Sequence, residues 1–246
     1  MKHFLANWKM YTTVSEAVAL TQAIQDGLRH RSGRGQRLPV PILCPPFVSL
    51  VPVGAAIERD VVRLGAQNCH WERRGPHTGE ISPIMLEGIV DYVMLGHSER
   101  RISGETDEQI AKKVAAVVAV GLVPILFVGE DEPDADAAEQ SEQQLRQGLS
   151  GIDLRSHTVL VVYEPRWAIG AEEPAGVGHV RGAVEHLKAQ LRQLGAGDPE
   201  VIYGGTVNDG NIDQFSELDV LDGVGATRAS LDADRLLAMI DRIAGA

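Results

Sequence analysis

The segment VLVVYEP, at residues 159–165, decides the fold because it combines an uninterrupted apolar run with a polar end. Five consecutive apolar residues without alternation are typical of a parallel β-strand that is covered on both faces. Val123–Val128 is a second run of this kind. The carboxyl end of the first run is Glu164, which marks it as a candidate for chemistry.

Strand-like apolar runs recur along the whole chain, and each is followed by a helical pattern. They are Phe4–Trp8, Val40–Cys44, Val62–Ala66, Tyr92–Leu95, Val123–Val128, Val159–Tyr163, Val201–Tyr203 and Gly223–Ala226. The intervening segments place apolar residues at helical spacing, as in Ile110, Val114, Val117 and Val118. Thr13-x-x-Glu16 and Thr106-x-x-Gln109 are capping boxes that predict the starts of two helices.

Eight βα units without a linker-like break predict a single-domain α/β protein, a (β/α)8 barrel over residues 1–246. The length of 246 residues is close to the ~250 residues that are usual for this fold. The rival is an open, doubly wound sheet, which usually begins with a glycine-rich dinucleotide turn. Here the first strand continues into Asn7-Trp8-Lys9-Met10 and carries no glycine, which favours the barrel.

The composition excludes several functional classes. The formal net charge of −11 disfavours binding to nucleic acid or to an anionic membrane surface. No apolar run reaches the ~18 residues that a membrane span requires. Cys44 and Cys69 form no C-x-x-C pair, so no zinc or redox motif is present, and two unpaired thiols suit a reducing cytoplasm. We expect a cytoplasmic protein that binds no metal.

Polar residues follow five of the apolar runs, at the strand ends where a (β/α)8 barrel carries its active site. These strand-end segments are Asn7 and Lys9, Gly96-His97-Ser98-Glu99-Arg100-Arg101, Tyr163-Glu164-Pro165, Gly204-Gly205-Thr206 and Thr227-Arg228. A carboxylate, an imidazole, a lysine and a glycine-rich turn therefore converge on one rim. The set suits proton transfer on a small anionic substrate.

An ordered set of motifs resembles the triosephosphate isomerase family over the whole chain. The motifs are Asn7-Trp8-Lys9-Met10, Gly65-Ala66-Gln67-Asn68, Thr78-Gly79-Glu80-Ile81-Ser82-Pro83, Gly96-His97-Ser98-Glu99-Arg100-Arg101, Gly104-Glu105-Thr106, Tyr163-Glu164-Pro165, Trp167-Ala168-Ile169-Gly170 and Tyr203-Gly204-Gly205. Any one of them is weak evidence, but their joint occurrence in the family's order is highly specific. The resemblance implies the interconversion of dihydroxyacetone phosphate and D-glyceraldehyde 3-phosphate through a cis-enediolate, without any cofactor.

The resemblance also assigns roles to four residues. Glu164 matches the base that removes a proton beside the carbonyl, and His97 matches the electrophile that polarises the carbonyl. This family is itself the standard example of a glutamate base paired with a neutral histidine. Lys9 matches the lysine that stabilises the enediolate and the phosphate, and Asn7 matches a neighbouring substrate contact. Glu99 is a candidate proton relay or simply an ion-pair partner.

The phosphate site, the lid and the dimer loop follow from the same comparison. Gly170, Thr206, Thr227 and Arg228 match positions that present backbone N–H groups to the phosphate, and Gly205 permits its close approach. Pro165 to Ala175 resembles the lid that excludes water. In the family, the loop that carries Thr78 docks into a partner subunit, so we expect a homodimer.

The sequence departs from the family in the phosphate grip and the lid. Thr227-Arg228 stands where Gly-Gly is usual, Ala171-Glu172-Glu173-Pro174 replaces the usual lid tip, and Arg166 replaces a valine at the first hinge. These changes leave two alternatives open. One is an isomerase of a four-carbon keto-sugar phosphate such as erythrulose phosphate, and the other is a non-catalytic phosphate-binding barrel. A Schiff-base aldolase is disfavoured because no second strand-end lysine is present.

Overall fold

The computed structural model describes residues 1–32, 38–133, 137–171 and 173–245. Eight parallel strands close into a barrel in sequence order, so the predicted single-domain (β/α)8 (TIM) barrel is confirmed. The strands are β1 (His3–Asn7), β2 (Val40–Cys44), β3 (Arg63–Ala66), β4 (Tyr92–Leu95), β5 (Val123–Val128), β6 (Leu160–Tyr163), β7 (Glu200–Tyr203) and β8 (Gly223–Ala226). Four of the eight match the apolar runs residue for residue, three differ by one residue at one end, and β1 is shifted by one residue at both ends.

The α-helices of the described residues lie between and after these strands. They are α1 (Val14–Ser32), α2 (Leu50–Ala56), α3 (Pro83–Leu86), α4 (Ser98–Ile102), α5 (Asp107–Val118), α6 (Ala137–Gly148), α7 (Val177–Gln193), α8 (Asp213–Ser216) and α9 (Ala233–Gly245). Both predicted capping boxes are confirmed. Thr106 and Gln109 cap α5 reciprocally. The Thr13 N–H donates to Glu16 Oε2 at 2.8 Å, and the Glu16 N–H donates to Thr13 Oγ1 at 3.4 Å.

The strands are apolar on both faces because each face packs into a different core. Alternate residues fill the barrel interior, and the remaining ones pack under the helices. The interior cluster is Leu5, Ile42, Cys44, Met94, Ile125, Phe127, Leu160, Val162 and Ile202. Because side chains alternate along a strand, Asn7 follows Leu5 on the interior face, and Glu164 follows Val162 in the same way. The strand period therefore aims both polar side chains into the top of the barrel.

The short α4 is important for the site because it begins immediately at the rim. His97 is its N-cap residue, and Gly96 before it has a φ of 75°, which favours glycine. Within the described residues, no helix is both long enough and apolar enough to cross a membrane.

Candidate active site

The predicted strand-end residues come together around one cavity of about 560 Å³ at the carboxyl end of the barrel. Its wall includes all nine of the residues that the sequence analysis predicted to bind substrate or carry the chemistry. These are Asn7, Lys9, His97, Glu164, Gly170, Gly205, Thr206, Thr227 and Arg228.

 Glu99, the candidate proton relay, lines the cavity as well. The wall also includes Asn208 and Arg235, which the sequence analysis did not single out.

Glu164 contacts two groups at the start of α4, a hydrogen-bond donor and an imidazole. Its Oε2 accepts the Ser98 backbone N–H at 2.9 Å, and its Oε1 lies 3.1 Å from His97 Nε2. The side chain is only 4% exposed, so little water competes for the carboxylate. A shielded carboxylate beside an imidazole is suited to act as a general base. The sequence analysis did not assign this contact to Ser98, although Ser98 stands inside a motif that it quoted.

The hydrogen bonds of His97 assign the tautomer of its ring. Nδ1 accepts the Glu99 backbone N–H at 3.2 Å, so this nitrogen carries no proton. The proton of the neutral ring is then on Nε2, which faces Glu164 Oε1. Phe127 packs edge-on against the ring, with centroids 5.0 Å apart, and fixes its orientation from inside the barrel. The imidazole thus presents one N–H donor to the cavity.

Lys9 has a left-handed backbone, with a φ of 46°, which is uncommon for a residue other than glycine. Its N–H donates to Asn7 Oδ1 at 3.0 Å, and its carbonyl accepts Gln67 Nε2 at 2.8 Å. Such a backbone costs about 1–3 kcal/mol and persists only where surrounding contacts enforce it. Asn7 therefore shapes the lysine as well as lining the cavity, and Gln67 is a support that the sequence analysis did not single out.

The Lys9 ammonium is paired with Glu99 at the cavity wall. Nζ lies 2.7 Å from Glu99 Oε1, and Glu99 Oε2 lies 3.8 Å from His97 Nδ1. The Glu99 side chain is 55% exposed, so the pair is solvated and contributes little to stability. The ammonium can therefore turn to an anionic substrate at small cost.

Glycines line the opposite side of the cavity. Gly170 has a φ of 73°, a conformation that favours glycine. A Cβ on Gly205 would lie 2.0 Å from the Tyr203 hydroxyl oxygen, so no side chain fits there. That hydroxyl accepts the Ala175 N–H at 3.0 Å and so anchors the far end of the lid segment. Thr206 Oγ1 donates to the Ala168 carbonyl at 2.8 Å. This hydrogen bond ties the segment after β7 to the first part of the lid.

Thr227 and Arg228 follow β8 and line the same side. Thr227 is half-buried, and its carbonyl accepts the Ser230 hydroxyl at 2.7 Å. The Arg228 side chain is exposed and has no hydrogen-bond or ion-pair partner among the described residues. Its guanidinium is therefore available to an anion in the cavity.

A buried carboxylate, Glu130, organises the near end of the lid. Its Oε1 accepts hydrogen bonds from the Tyr163 hydroxyl at 2.7 Å and from Trp167 Nε1 at 3.0 Å, and lies 2.9 Å from His179 Nε2. Burial raises the pKa of Glu130, but the hydrogen bonds from Tyr163, His179 and Trp167 outweigh it, and the net pKa is lowered. The sequence analysis omitted Glu130, although it stands directly after β5 by the same strand-end rule.

The lid hinge carries an ion pair at one of the departures from the family. Arg166 Nη1 lies 2.5 Å from Asp131 Oδ1, and the Arg166 N–H donates to the Glu130 carbonyl at 2.9 Å. The substituted hinge residue is therefore tied to the segment that follows β5. Glu172, at the lid tip, lies outside the described residues.

Thr78 is exposed in the long segment between β3 and α3. Three rings pack within this segment, with His70 stacked on Trp71 at 4.1 Å and on His77 at 4.2 Å. The His70 N–H also donates to the Ile81 carbonyl at 2.8 Å, which closes the segment into a loop. The loop is thus ordered by its own contacts while Thr78 remains free at its surface.

Among the residues that the structure describes, no group of three or more His, Cys, Asp or Glu side chains is arranged to hold a metal ion. The cavity nevertheless contains a shielded carboxylate, an N–H donor and a cation. Together they can remove a proton from carbon and stabilise the negative charge that forms on oxygen.

Comparison with known proteins gives a consistent result. The chain matches the family described as triosephosphate isomerase over residues 2–243. It is 36% identical over 242 residues to a triosephosphate isomerase of Dehalococcoides mccartyi, covering 95% of this chain and 92% of that protein. It is 38% identical over 237 residues to that of Aquifex aeolicus, covering 93% and 94%. The crystal structure of triosephosphate isomerase from Bartonella henselae superposes with a TM-score of 0.86 at 26% identity, covering 98% of each chain.

Proposed function

Because the chain belongs to the triosephosphate isomerase family, we propose that it interconverts dihydroxyacetone phosphate and D-glyceraldehyde 3-phosphate through a cis-enediolate. The observation that carries the mechanism is the contact between Glu164 and His97 at the barrel rim, with the Lys9 ammonium in the same cavity. All three groups come from different strand ends, as proton transfer on a bound substrate requires.

Substrate binding starts the reaction by competing for the His97 N–H. His97 Nε2 lies 3.1 Å from Glu164 Oε1. A substrate carbonyl that accepts the same N–H is polarised and leaves that carboxylate oxygen without its partner. Glu164 then keeps only the Ser98 N–H and is free to approach the carbon beside the carbonyl. The carboxylate takes the proton from that carbon.

The enediolate oxygen then carries negative charge, which the His97 N–H and the Lys9 ammonium stabilise. His97 passes its Nε2 proton to this oxygen and recovers one from the hydroxyl of the neighbouring carbon. Glu164 delivers the proton it removed to the former carbonyl carbon, and the carbon that lost the proton becomes the new carbonyl. Protons balance over the cycle, so neither a cofactor nor an added oxidant is needed.

The phosphate is held on the glycine side of the cavity. Gly170, Thr206, Thr227 and Arg228 present backbone N–H groups to it, and Gly205 permits its close approach. Thr206 ties the β7 end to Ala168, so phosphate binding is coupled to the lid segment. Lid closure excludes water, which strengthens the electrostatic contacts at the reacting atoms.

The proposal is tested with Glu164→Gln in a coupled assay run in both directions. We expect kcat to fall by about 10²–10⁴-fold, the usual contribution of a general base. Glu185→Gln, the same change at an exposed glutamate on α7, is the matched control and should leave kcat unchanged. Full turnover by Glu164→Gln would refute the assignment of the base.

The identity of the sugar is tested separately, because Arg228 stands beside the phosphate side of the cavity. We expect kcat/KM for glyceraldehyde 3-phosphate to exceed that for erythrulose phosphate by more than about 10³-fold, or ~4 kcal/mol. A preference for erythrulose phosphate would instead favour the four-carbon alternative. Absence of solvent deuterium exchange into dihydroxyacetone phosphate would favour a non-catalytic barrel.

We also propose that the chain works as a cytoplasmic homodimer with Thr78 at the contact. Large apolar side chains are exposed near the rim, notably Met10 at 94%, Val48 at 73% and Val51 at 64%. Burial of such side chains against a second copy of the chain would remove apolar surface from water. Light scattering should give twice the chain mass, and Thr78→Arg should shift it toward the single chain. A single-chain mass at micromolar concentration would contradict the dimer.

A further inference from the structure

The guanidinium side chains of Arg228 and Arg235 belong to the wall of the active-site cavity, and the proposed reaction uses neither of them, since Arg228 meets the substrate phosphate only through its backbone. Among the described residues of this wall, the charged groups are three cations (these two and Lys9) and two carboxylates (Glu99 and Glu164). The chain as a whole carries a formal charge of −11. The cavity wall is therefore positive on balance within an acidic protein, which favours anionic ligands.

The Arg235 guanidinium is only partly used by the protein. Its Nε donates to Asp209 Oδ1 at 3.0 Å, and its Nη2 contacts the same oxygen. Nη1 has no partner among the described residues. Both donors share one carboxylate oxygen, so the planar fork that suits a phosphate is left half free. Arg242 Nη1 donates to the Asp209 carbonyl at 2.6 Å and holds that segment in place.

The cavity has room for more than a triose phosphate. Its volume of about 560 Å³ lies in the range of pockets that enclose drug-sized ligands. Such ligands are much larger than a triose phosphate. In the proposed function, the glycine side of the cavity holds a single phosphate. The guanidinium groups of Arg228 and Arg235 then remain to meet a second anionic group. That of Arg228 has no partner among the described residues.

We propose that Arg228 and Arg235 form a second anion subsite, which binds the second phosphate of a short bisphosphate whose first phosphate occupies the glycine side. The proposal rests on the proposed function for the position of the first phosphate. Guanidinium groups bind phosphate through paired N–H donors, and two of them suit a group that carries about two negative charges. Short bisphosphates are therefore competitive ligands of this enzyme, and they bind more tightly than the corresponding monophosphates.

The test compares propane-1,3-diol bisphosphate with n-propyl phosphate, which have the same carbon chain and differ in one phosphate. Titration calorimetry should give an affinity about tenfold higher for the bisphosphate, as expected for charge-assisted hydrogen bonds at a partly solvated site. In Arg235→Gln, this advantage should shrink to about twofold, the statistical benefit of two equivalent phosphates. Turnover of glyceraldehyde 3-phosphate should stay unchanged, because Arg235 takes no part in the reaction.

Arg181→Gln is the matched control. Arg181 also pairs with an aspartate, Asp219 at 2.9 Å, but lies on α7 and does not line the cavity. This variant should keep the tenfold advantage. Equal affinities in the parent protein, or an unchanged advantage in Arg235→Gln, would overturn the subsite, as would bisphosphate binding that does not compete with propyl phosphate. Calorimetry does not depend on turnover, so an inactive enzyme that keeps the tenfold advantage would refute the proposed reaction and leave the subsite standing.

Discussion

Replacing Gly129 by alanine tests how closely the base is positioned. Gly129 follows β5, and a Cβ built there would lie 2.0 Å from the Glu164 carbonyl oxygen, 2.4 Å from its carbonyl carbon and 2.9 Å from Pro165 N. Side-chain carbons do not approach other atoms closer than 3.0 Å, so the two segments must separate by about 1 Å. Gln144 holds Gly129 from both sides, accepting its N–H at 3.0 Å and donating to its carbonyl at 3.1 Å. The shift therefore falls mainly on Glu164.

A displacement of about 1 Å at a catalytic group costs about 10²-fold in rate, or ~2.7 kcal/mol of transition-state stabilisation. We expect kcat/KM of Gly129→Ala to fall by this factor in a steady-state assay. Overpacking should also remove about 1–3 kcal/mol of stability, which lowers Tm by ~2–4 °C per kcal/mol. The assay must therefore run well below the new Tm.

Gly182→Ala is the control for this experiment. Gly182 is exposed inside α7, and nothing lies within 4 Å of a Cβ built there. Alanine should stabilise the helix by about 0.5–1 kcal/mol and leave the rate unchanged. If folded Gly129→Ala keeps kcat/KM within about threefold of the parent, the argument from a 1 Å displacement is refuted.

Three further results are expected. Glu164→Asp withdraws the carboxylate by about 1 Å and should lower kcat/KM by ~10²-fold in the same assay; an unchanged rate would contradict the proposed base. The hydrogen bond from His3, helped by that from Lys2, lowers the pKa of Glu200 to about 2 against the effect of burial. Folding therefore gains stability from this carboxylate above about pH 4.5 and loses it as the pH falls toward 2, so the Tm deficit of Glu200→Gln should shrink between pH 6 and pH 3. Burial raises the pKa of Cys69 to about 12 and raises that of Cys44 also, so both thiols should react slowly with a thiol reagent at pH 8 until the protein is unfolded.

The sequence predicted the strands well because the apolar runs coincide closely with the segments that are buried as strands of the barrel. β5 matches its run residue for residue. β1 begins one residue earlier than its run, at His3, because backbone pairing rather than hydrophobicity sets the boundary. His3 pairs with Val40 of β2 and with Gly223 of β8, and closure of the barrel requires both pairings. A polar residue can thus belong to a strand that its own side chain does not predict.

The site was predicted where a residue carries its own signal and missed where a contact depends on packing. Glu164 and His97 stand at strand ends inside specific motifs, so their position alone made them candidates. Gln67 Nε2, after β3, donates to the Lys9 carbonyl, after β1. The Ser98 N–H, after β4, donates to Glu164, after β6. Such contacts depend on barrel register and side-chain direction, which one sequence read along the chain does not provide.

The Tyr203 hydroxyl links the choice of residue at position 205 to the anchoring of the lid. The tyrosine hydroxyl occupies the space that a side chain at 205 would need, and the same hydroxyl holds Ala175 at the far end of the lid. A larger residue at 205 could be accommodated only if Tyr203 lost that hydroxyl, and the lid would lose its anchor in the same step. A side chain at position 205 therefore requires a second substitution at Tyr203, and that substitution removes the hydrogen bond to the Ala175 N–H.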